Sequence, residues 1–295
     1  MDNNAIINTT DNSNWRELKS KLFLGIVILL SCITISPILL ILYELISKGI
    51  KQINLDFFFK VAPDTLQAMT AVRNGEILPG GIANGISGTL LMVALAALIA
   101  IPVSIVIGIF LYENQGKKYA NLIRTLTDIL QGVPSVVLGL ISYIWIVQGV
   151  TKGFSALAGS VALAIMMLPL IIRSTEETMK MLPISIKEAA AALGVPYHKI
   201  ILKVMIPSGF SGLMTGILLS ISRVIGETAP LMLTTLGSTA INLNIKKPTS
   251  AVPLQIWEFY NNPNMIDLVW SSSLFLLGFV LTLNIIAKRI SLRYN

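Results

Sequence analysis

The sequence predicts an all-α integral membrane protein with six transmembrane helices, and three observations carry that prediction. Mean hydropathy is +0.76 and only 13% of residues are charged, where a soluble domain carries about 25%. Six segments, at about 22–46, 85–112, 121–148, 155–175, 209–235 and 267–288, hold the apolar length needed to cross a bilayer. The basic residues alternate between the two sides of those spans. Fourteen lie in the tail before span one, the loops after spans two and four, and the C-terminus, and seven lie in the intervening loops. The positive-inside rule therefore puts both termini and the segment after span four in the cytoplasm. The net charge of +7 follows from these cytoplasmic loops and does not point to nucleic acid.

Residues 1–14 are rich in Asn, Asp and Thr and read as an unstructured cytoplasmic tail. Arg16, Lys19 and Lys21 then open the first apolar run in the manner of a signal peptide. The run is too long for a signal core, lacks a small-x-small cleavage site and leads into further spans, so it reads as an uncleaved first span. Cys32 follows Leu29-Leu30-Ser31, a faint likeness to a lipid-attachment site, but the apolar run continues past it. One cysteine excludes an internal disulfide, and one histidine, His198, excludes the usual multi-histidine metal sites. No catalytic or metal constellation is present, and no H-E-x-x-H motif. Pro37, Pro102, Pro134 and Pro169 interrupt spans and mark candidate broken helices, of the kind that line a pathway inside protein. Trp145, Trp257 and Trp270 suit the headgroup belt.

Span three opens with Arg124 and Asp128, which at four residues' spacing read as a local pair. Span four ends in Arg173, Glu176 and Glu177, where snorkelling to the interface competes with a role in transport. The segment after it reads Ser185-x-x-Glu188, the spacing of a capping box, then good helix formers to Leu193, and Gly194 where a left-handed cap would end the helix. Pro196 suits the first position of a second short helix, and Pro207 precedes span five. The four alanines 189–192 leave a slim surface able to enter a groove. On physical grounds the segment is either a docking helix or an interfacial linker.

In span five, Arg223 and Glu227 share one helix face. A helix entering at about 209 places Arg223 near mid-depth, where a charge costs about 2.5–3.5 kcal/mol on the insertion scale. Two readings stand. The pair neutralises itself for insertion, or it lines an anion path, because a guanidinium fork suits tetrahedral oxyanions.

Glu188, Ala189, Ala190 and Gly194, followed after nine residues by Val204, Ile206 and Pro207, resemble the E-A-A-x-x-x-G…I-x-L-P loop of ABC-importer permeases. That resemblance implies a type I importer fold. It implies a permease domain over 21–295, a tail over 1–20 and a cytoplasmic coupling segment over 183–208 held by a separate ATPase. No G-x-x-x-x-G-K-[ST] loop occurs, so ATP and Mg are expected on the partner and no cofactor on this chain.

Four further stretches narrow the likeness. They are Gly80-Gly81-Ile82 with Gly88-Thr89, Leu130-Gln131-Gly132-Val133-Pro134-Ser135, Leu168-Pro169 through Arg173-Ser174-Thr175-Glu176-Glu177, and Arg223 through Gly226-Glu227-Thr228-Ala229-Pro230-Leu231. Together they resemble the A-type permease subunit of bacterial phosphate ABC importers. That resemblance implies a non-catalytic subunit of the inner membrane that forms half of a phosphate path, with Arg223, Glu227, Arg173 and Glu176 on the path. Implied partners are a sister permease in a heterodimer, two ATPase subunits, an extracytoplasmic phosphate-binding protein and membrane lipid. A permease for sulfate or molybdate and an ion-driven secondary transporter are the alternatives.

Overall fold

The computed structural model describes residues 4–293 and divides into two compact units, Met1–Lys48 and Gly49–Asn295. Helix α1 (Asn4–Gly49) accounts for the described residues of the first unit. The expected unstructured tail is thus helical from Asn4 onward, continuous with the apolar run, and its first three residues lie outside the described ones. A long apolar helix propagates into polar sequence at little cost, because the nucleus is already formed.

The second unit opens with α2 (Leu55–Phe59), α3 (Thr65–Asn74) and α4 (Ala83–Glu113). Next come α5 (Lys118–Gly132) and α6 (Ser135–Ser142), the latter continued by a π-helix over Tyr143–Thr151. Then follow α7 (Ala156–Met181), α8 (Ile184–Ala192), α9 (Tyr197–Ile200) with a π-helical turn over Ile201–Met205, and α10 (Ile206–Ser208). The unit closes with α11 (Phe210–Ile225), α12 (Ala229–Thr234), α13 (Val252–Tyr260) and α14 (Ile266–Arg293). Among the described residues there is no strand, only an isolated bridge between Leu236 and Thr249.

Four helices are long and apolar enough to cross a membrane singly: Trp15–Gln52, Ala83–Glu113, Ala156–Met181 and Pro263–Ile290. The count reaches six when each of two bent pairs is one span. One pair joins α5 to α6 and its π extension with a bend of 102°, and the other joins Tyr197–Ser208 to α11 with a bend of 72°. The expected third span is therefore no straight rod, and the expected fifth span ends as a helix at Ile225 before a break at Gly226–Thr228. Of the four prolines expected to break helices, only Pro134 does so; Pro37, Pro102 and Pro169 sit inside continuous helices. Pro134 differs in following Gly132, the poorest non-proline helix former, and in forcing Val133 into an extended conformation.

The core is built on α4 and α7, the pair with the most extensive mutual packing. Met92, Ala96 and Ala100 of α4 meet Leu163, Met167 and Ile171 of α7, with Ile217 and Val224 of α11 and Leu231 of α12 completing the cluster. Two smaller cores lie at the opposite ends of α4, which spans about 46 Å at 1.5 Å per residue. At its N-terminal end Ile82 joins Phe57, Ala68, Val252, Phe259 and Leu268. At its C-terminal end Ile109 and Tyr112 join Met179, Ala190, Ile201 and Met205.

Glycines permit the closest approaches, as small residues do between membrane helices generally. On α11, Gly212 and Gly216 lie against Thr178 and Ser174 of α7, where a Cβ would collide with those side chains. On α4, Gly85 lies against the Gln255 side chain and Gly88 against the Ser250 carbonyl. The next residue completes that seam, since Thr89 Oγ1 accepts from the Val252 amide at 2.9 Å. The Asn84 amide donates to the Ser238 carbonyl at 2.7 Å and its oxygen accepts from Gln255 Nε2 at 2.7 Å. The Gly88-Thr89 stretch thus fastens residues 249–252, at the start of α13, to α4, and Asn84 adds Ser238 and Gln255.

Gly88→Val is expected to lower stability by about 1–3 kcal/mol, the usual cost of overpacking a tight interior. Thermal unfolding in detergent checks this, with Gly25→Val, which has open space around it, as the control that leaves the midpoint unchanged.

Candidate functional site

The two helix breaks lie side by side. Val133 and Pro134 are both extended, and the Pro134 carbonyl accepts from the amides of Val137 and Leu138, at 3.0 and 3.4 Å, to start α6. The second break, Gly226–Thr228, leads into α12 with Pro230 in its first turn. Gly139 of α6 lets Pro230 approach; a Cβ there would strike the Pro230 backbone. Each break thus holds the other in place.

Between them lies a cavity of about 230 Å³. Gln131, Pro134 and Ser135 line it from the first break, Arg223 and Glu227 from the second, and Pro169 from α7. Arg223 sits in the last turn of α11, two residues before that helix ends. Its Nε is 4.0 Å from Glu227 Oε1, the outer limit of an ion pair, and its side chain is 46% exposed. The pair read from their four-residue spacing is therefore present but loose, and the guanidinium keeps donors facing the cavity. The first turn of α6 opens into the same space at Ser135, where free amides favour an anion.

A second cavity of about 480 Å³ adjoins the first through Gln131, which lines both. Its walls hold Asp128, Arg173, Ser174, Glu177 and Thr215. Arg173 Nε donates to Asp128 Oδ1 at 3.0 Å, and a second guanidinium nitrogen bonds the same oxygen. Asp128 and Gln131 are one turn apart on α5, so a single helix face supplies both. Arg173 is thus held across to α5 and faces a cavity, which the snorkelling reading does not require.

Glu176 lies away from both cavities. Its side chain is 1% exposed, and its Oε1 receives Arg124 Nε at 2.8 Å and Lys180 Nζ at 2.7 Å. Arg124 also donates to the Leu111 carbonyl at 2.9 Å and to Asn121 Oδ1 at 2.7 Å. Arg173 Nη1 stands 4.0 Å from the other Glu176 oxygen. The expected local pair of Arg124 with Asp128 is therefore corrected. Both residues reach across to α7, because the buried Glu176 carboxylate demands a cation and α5 supplies the one beside it.

The segment 183–208 forms helix, turn and helix. Its first helix starts after Pro183, with no side-chain cap. The expected capping box is absent, because proline's fixed φ starts the helix one residue ahead of Ser185 and leaves that hydroxyl inside the first turn. The C-terminal end matches expectation. Gly194 has φ +73°, its amide donates to the Ala191 carbonyl at 2.9 Å, and the Val195 amide donates to Ala190 at 3.3 Å. This is a Schellman cap, completed by apolar contact between Val195 and Ala190. Pro196 is the N-cap of α9 rather than its first helical residue. Pro207 lies in α10, just before the 72° bend into α11. Ala190 faces inward, while Glu188, Ala189, Ile184 and Leu193 are exposed, Leu193 at 82%. The outward side of α8 is thus a largely apolar exposed surface.

Gln131 carries no assigned role in the sequence reading, although it stands in the quoted Leu130–Ser135 stretch. Its signal is the three-residue spacing from Asp128 on a helix that stops one residue later. Among the described residues no group of His, Cys, Asp and Glu is arranged to hold a metal ion.

The chain is similar to known membrane transport proteins. Residues 104–294 match the family described as binding-protein-dependent transport system inner membrane component. The phosphate transport system permease protein PstA of Xylella fastidiosa (strain 9a5c) is 37% identical over 252 residues, covering 84% of each chain. The PstA of Pasteurella multocida (strain Pm70) is 35% identical over 276 residues, covering 92% of this chain and 94% of the relative. Among solved structures, an inward-facing form of the MetNI methionine ABC transporter aligns with TM-score 0.59 at 20% identity, over 72% of this chain and 94% of that one. At that identity the likeness is one of fold, that of a type I ABC importer permease.

Arg124→Leu is expected to destabilise the protein by about 3 kcal/mol, because it removes one of two close partners from a buried carboxylate. The double variant Arg124→Leu with Glu176→Gln should recover more than half of the loss. Chemical denaturation of the two variants in detergent measures both.

Proposed function

The chain belongs to the family of binding-protein-dependent transport inner membrane components, on the branch of the phosphate transport permeases, and we propose that it forms half of a phosphate path through the bacterial inner membrane. As a permease of this family it is a non-catalytic subunit, and ATP hydrolysis belongs to a separate polypeptide. The observation that carries the reading is the pair of adjoining cavities, one with Arg223 and one with Arg173, which meet at Gln131. Phosphate at neutral pH carries one to two negative charges and is excluded from an apolar channel. A guanidinium in each cavity offers it two successive stations, with forks of donors matched to its oxygens.

Glu227 beside Arg223, and Asp128 with Glu177 beside Arg173, keep either station from holding the anion too tightly. Glu176 acts one step back, fixing Arg124 and the start of α5 so that Asp128 and Gln131 face the cavities. A sulfate or molybdate path would use similar donors; the phosphate reading is favoured because the relatives sharing most of this chain's length are phosphate permeases.

The coupling segment 183–208 of the permease domain 21–295 takes up force from the ATPase through Glu188, Ala189, Ala190, Gly194 and Pro207. Alanines keep the helix slim, Gly194 makes the reversal, and Pro207 sets the bend into the helix that carries Arg223. The distribution of basic residues supports a cytoplasmic side for this segment, the tail 1–20 and both termini. The assembly that completes the path is a heterodimer with a sister permease, two ATPase subunits holding ATP and Mg, and an extracytoplasmic phosphate-binding protein, set in lipid. This chain itself holds no cofactor and binds no nucleic acid.

Two predictions follow from these assignments. Arg223→Gln should abolish phosphate uptake while the complex still assembles, and the neutral double variant with Glu227→Gln should stay inactive, because no cation remains in the first cavity. Full recovery of labelled-phosphate uptake in the double variant would leave Arg223 as a packing partner only. Gly194→Val or Glu188→Lys should leave the spans inserted yet weaken ATPase association and remove ATP-driven uptake, since φ +73° is costly for a β-branched residue. Co-purification and uptake by both variants test this, and normal values would remove the coupling assignment.

A further inference from the structure

We propose that Lys187 and Glu113 form a latch that passes movement of the coupling segment to α4, which makes Lys187 a positioning residue for transport. The proposal rests on the docking reading of residues 183–208 given above. Lys187 Nζ donates to Glu113 Oε1 at 2.8 Å and to Oε2 at 2.6 Å, with side-chain exposures of only 27% and 20%. The ammonium lies over the Tyr112 ring at 5.6 Å and over the Tyr197 ring at 5.3 Å. Tyr197 also hydrogen-bonds Glu113. The four residues come from the end of α4, the first turns of α8 and the start of α9, so one ion pair ties three elements together.

Local helix energetics do not explain the pair. Glu113 is the last residue of α4, where the helix dipole disfavours a carboxylate, and Lys187 is in the N-terminal part of α8, where it disfavours a cation. Each residue stands at the wrong end of its own helix and is stabilised by the other. Among the described residues, Lys187 makes the only side-chain hydrogen bonds from α8 to another element. Ala190 adds an apolar contact.

The far side of the latch leads to the cavities. Two residues before Glu113, the Leu111 carbonyl receives Arg124 of α5, and Arg124 holds Glu176 of α7. The same α5 carries Asp128 and Gln131 into the cavities. A displacement of α8 therefore has a continuous polar connection to the walls of the path, through elements that are themselves rigid helices. Spatial continuity alone does not establish coupling, so the test measures coupling directly.

The whole importer, with its ATPase, sister permease and phosphate-binding protein, is reconstituted in proteoliposomes, and phosphate taken up per ATP hydrolysed is measured. Lys187→Met and Glu113→Gln are expected to keep the ATPase bound and hydrolysing while uptake per ATP falls on the order of tenfold, the scale of effect for a broken, partly buried ion pair. Lys187→Arg, which keeps the charge and the stacking on tyrosine, should retain at least half of the wild-type ratio. The double variant should be no worse than either single one, since both remove the same link. An unchanged ratio in Lys187→Met, an equal loss in Lys187→Arg, or loss of ATPase binding in Lys187→Met would each overturn the latch. The Gly194→Val variant in the same assay separates the two readings. If it keeps ATPase binding, the docking assignment has failed; if it loses binding while Lys187→Met is silent, only the latch has failed.

Discussion

A single buried carboxylate organises the half of the molecule on which function depends. Glu176 is sealed from solvent and balanced by Arg124 and Lys180. A charge in that position is tolerable only with close partners. Meeting that demand pulls the start of α5 against α7 and places an arginine on the final carbonyls of α4. The opposite polarity recurs one turn further on, where Arg173 of α7 reaches Asp128 of α5. These two cross-links, of opposite sense, set the direction of α5. Because α5 is held there, the chain must turn at Val133–Pro134 to reach α6, and the turn opens the cavity beside Arg223.

The turn carries a cost that the neighbouring break offsets. Backbone that leaves a helix within a membrane protein needs partners or a water-lined space. Here the first break finds carbonyl acceptors within its own tight turn, and Gly139 lets it press against the second break at Pro230. Polar backbone, Ser135 and Arg223 then share one space. The same geometry that would destabilise a lipid-facing helix makes a polar space inside the protein. Glycine seams do the complementary work elsewhere, locking α11 to α7 and the start of α13 to α4, so that the breaks are framed by rigid rods.

Much of this was legible in the sequence, and the failures have a common cause. Apolar length located, among the described residues, each helix or bent pair long and apolar enough to cross a membrane, because burial in lipid is a one-dimensional property of composition. Gly194 was readable as a left-handed cap because few residues other than glycine adopt that backbone cheaply, and the Schellman bonds bear this out. Arg223 and Glu227 do lie near each other, at 4.0 Å, but not on one helix face: α11 ends at Ile225 and Glu227 stands in the break that follows, which the four-residue spacing could not reveal. What local spacing could not supply was partner choice between helices. Arg124 and Asp128 stand at ideal spacing for each other, yet each finds a partner on α7: Arg124 the buried Glu176, where burial raises the value of a charge pair, and Asp128 the guanidinium of Arg173. The pairing of Lys187 with Glu113 was invisible for the same reason: the two come from different elements. Proline was an unreliable guide to breaks, because only Pro134 combines with a nearby glycine, while the others are carried within continuous helices.

The central claim is that the space between the two breaks is part of the route taken by phosphate. It is tested most directly at Gln131, the residue common to both cavities. The chain has a single cysteine, Cys32, so Cys32→Ser gives a background in which Gln131→Cys is the one thiol of this subunit. Labelling by a small charged thiol reagent is then followed in the assembled importer during ATP turnover, with and without phosphate-loaded binding protein. The account predicts that the thiol reacts and that phosphate slows the reaction. A thiol that does not react, or that reacts at the same rate with and without phosphate, would contradict it.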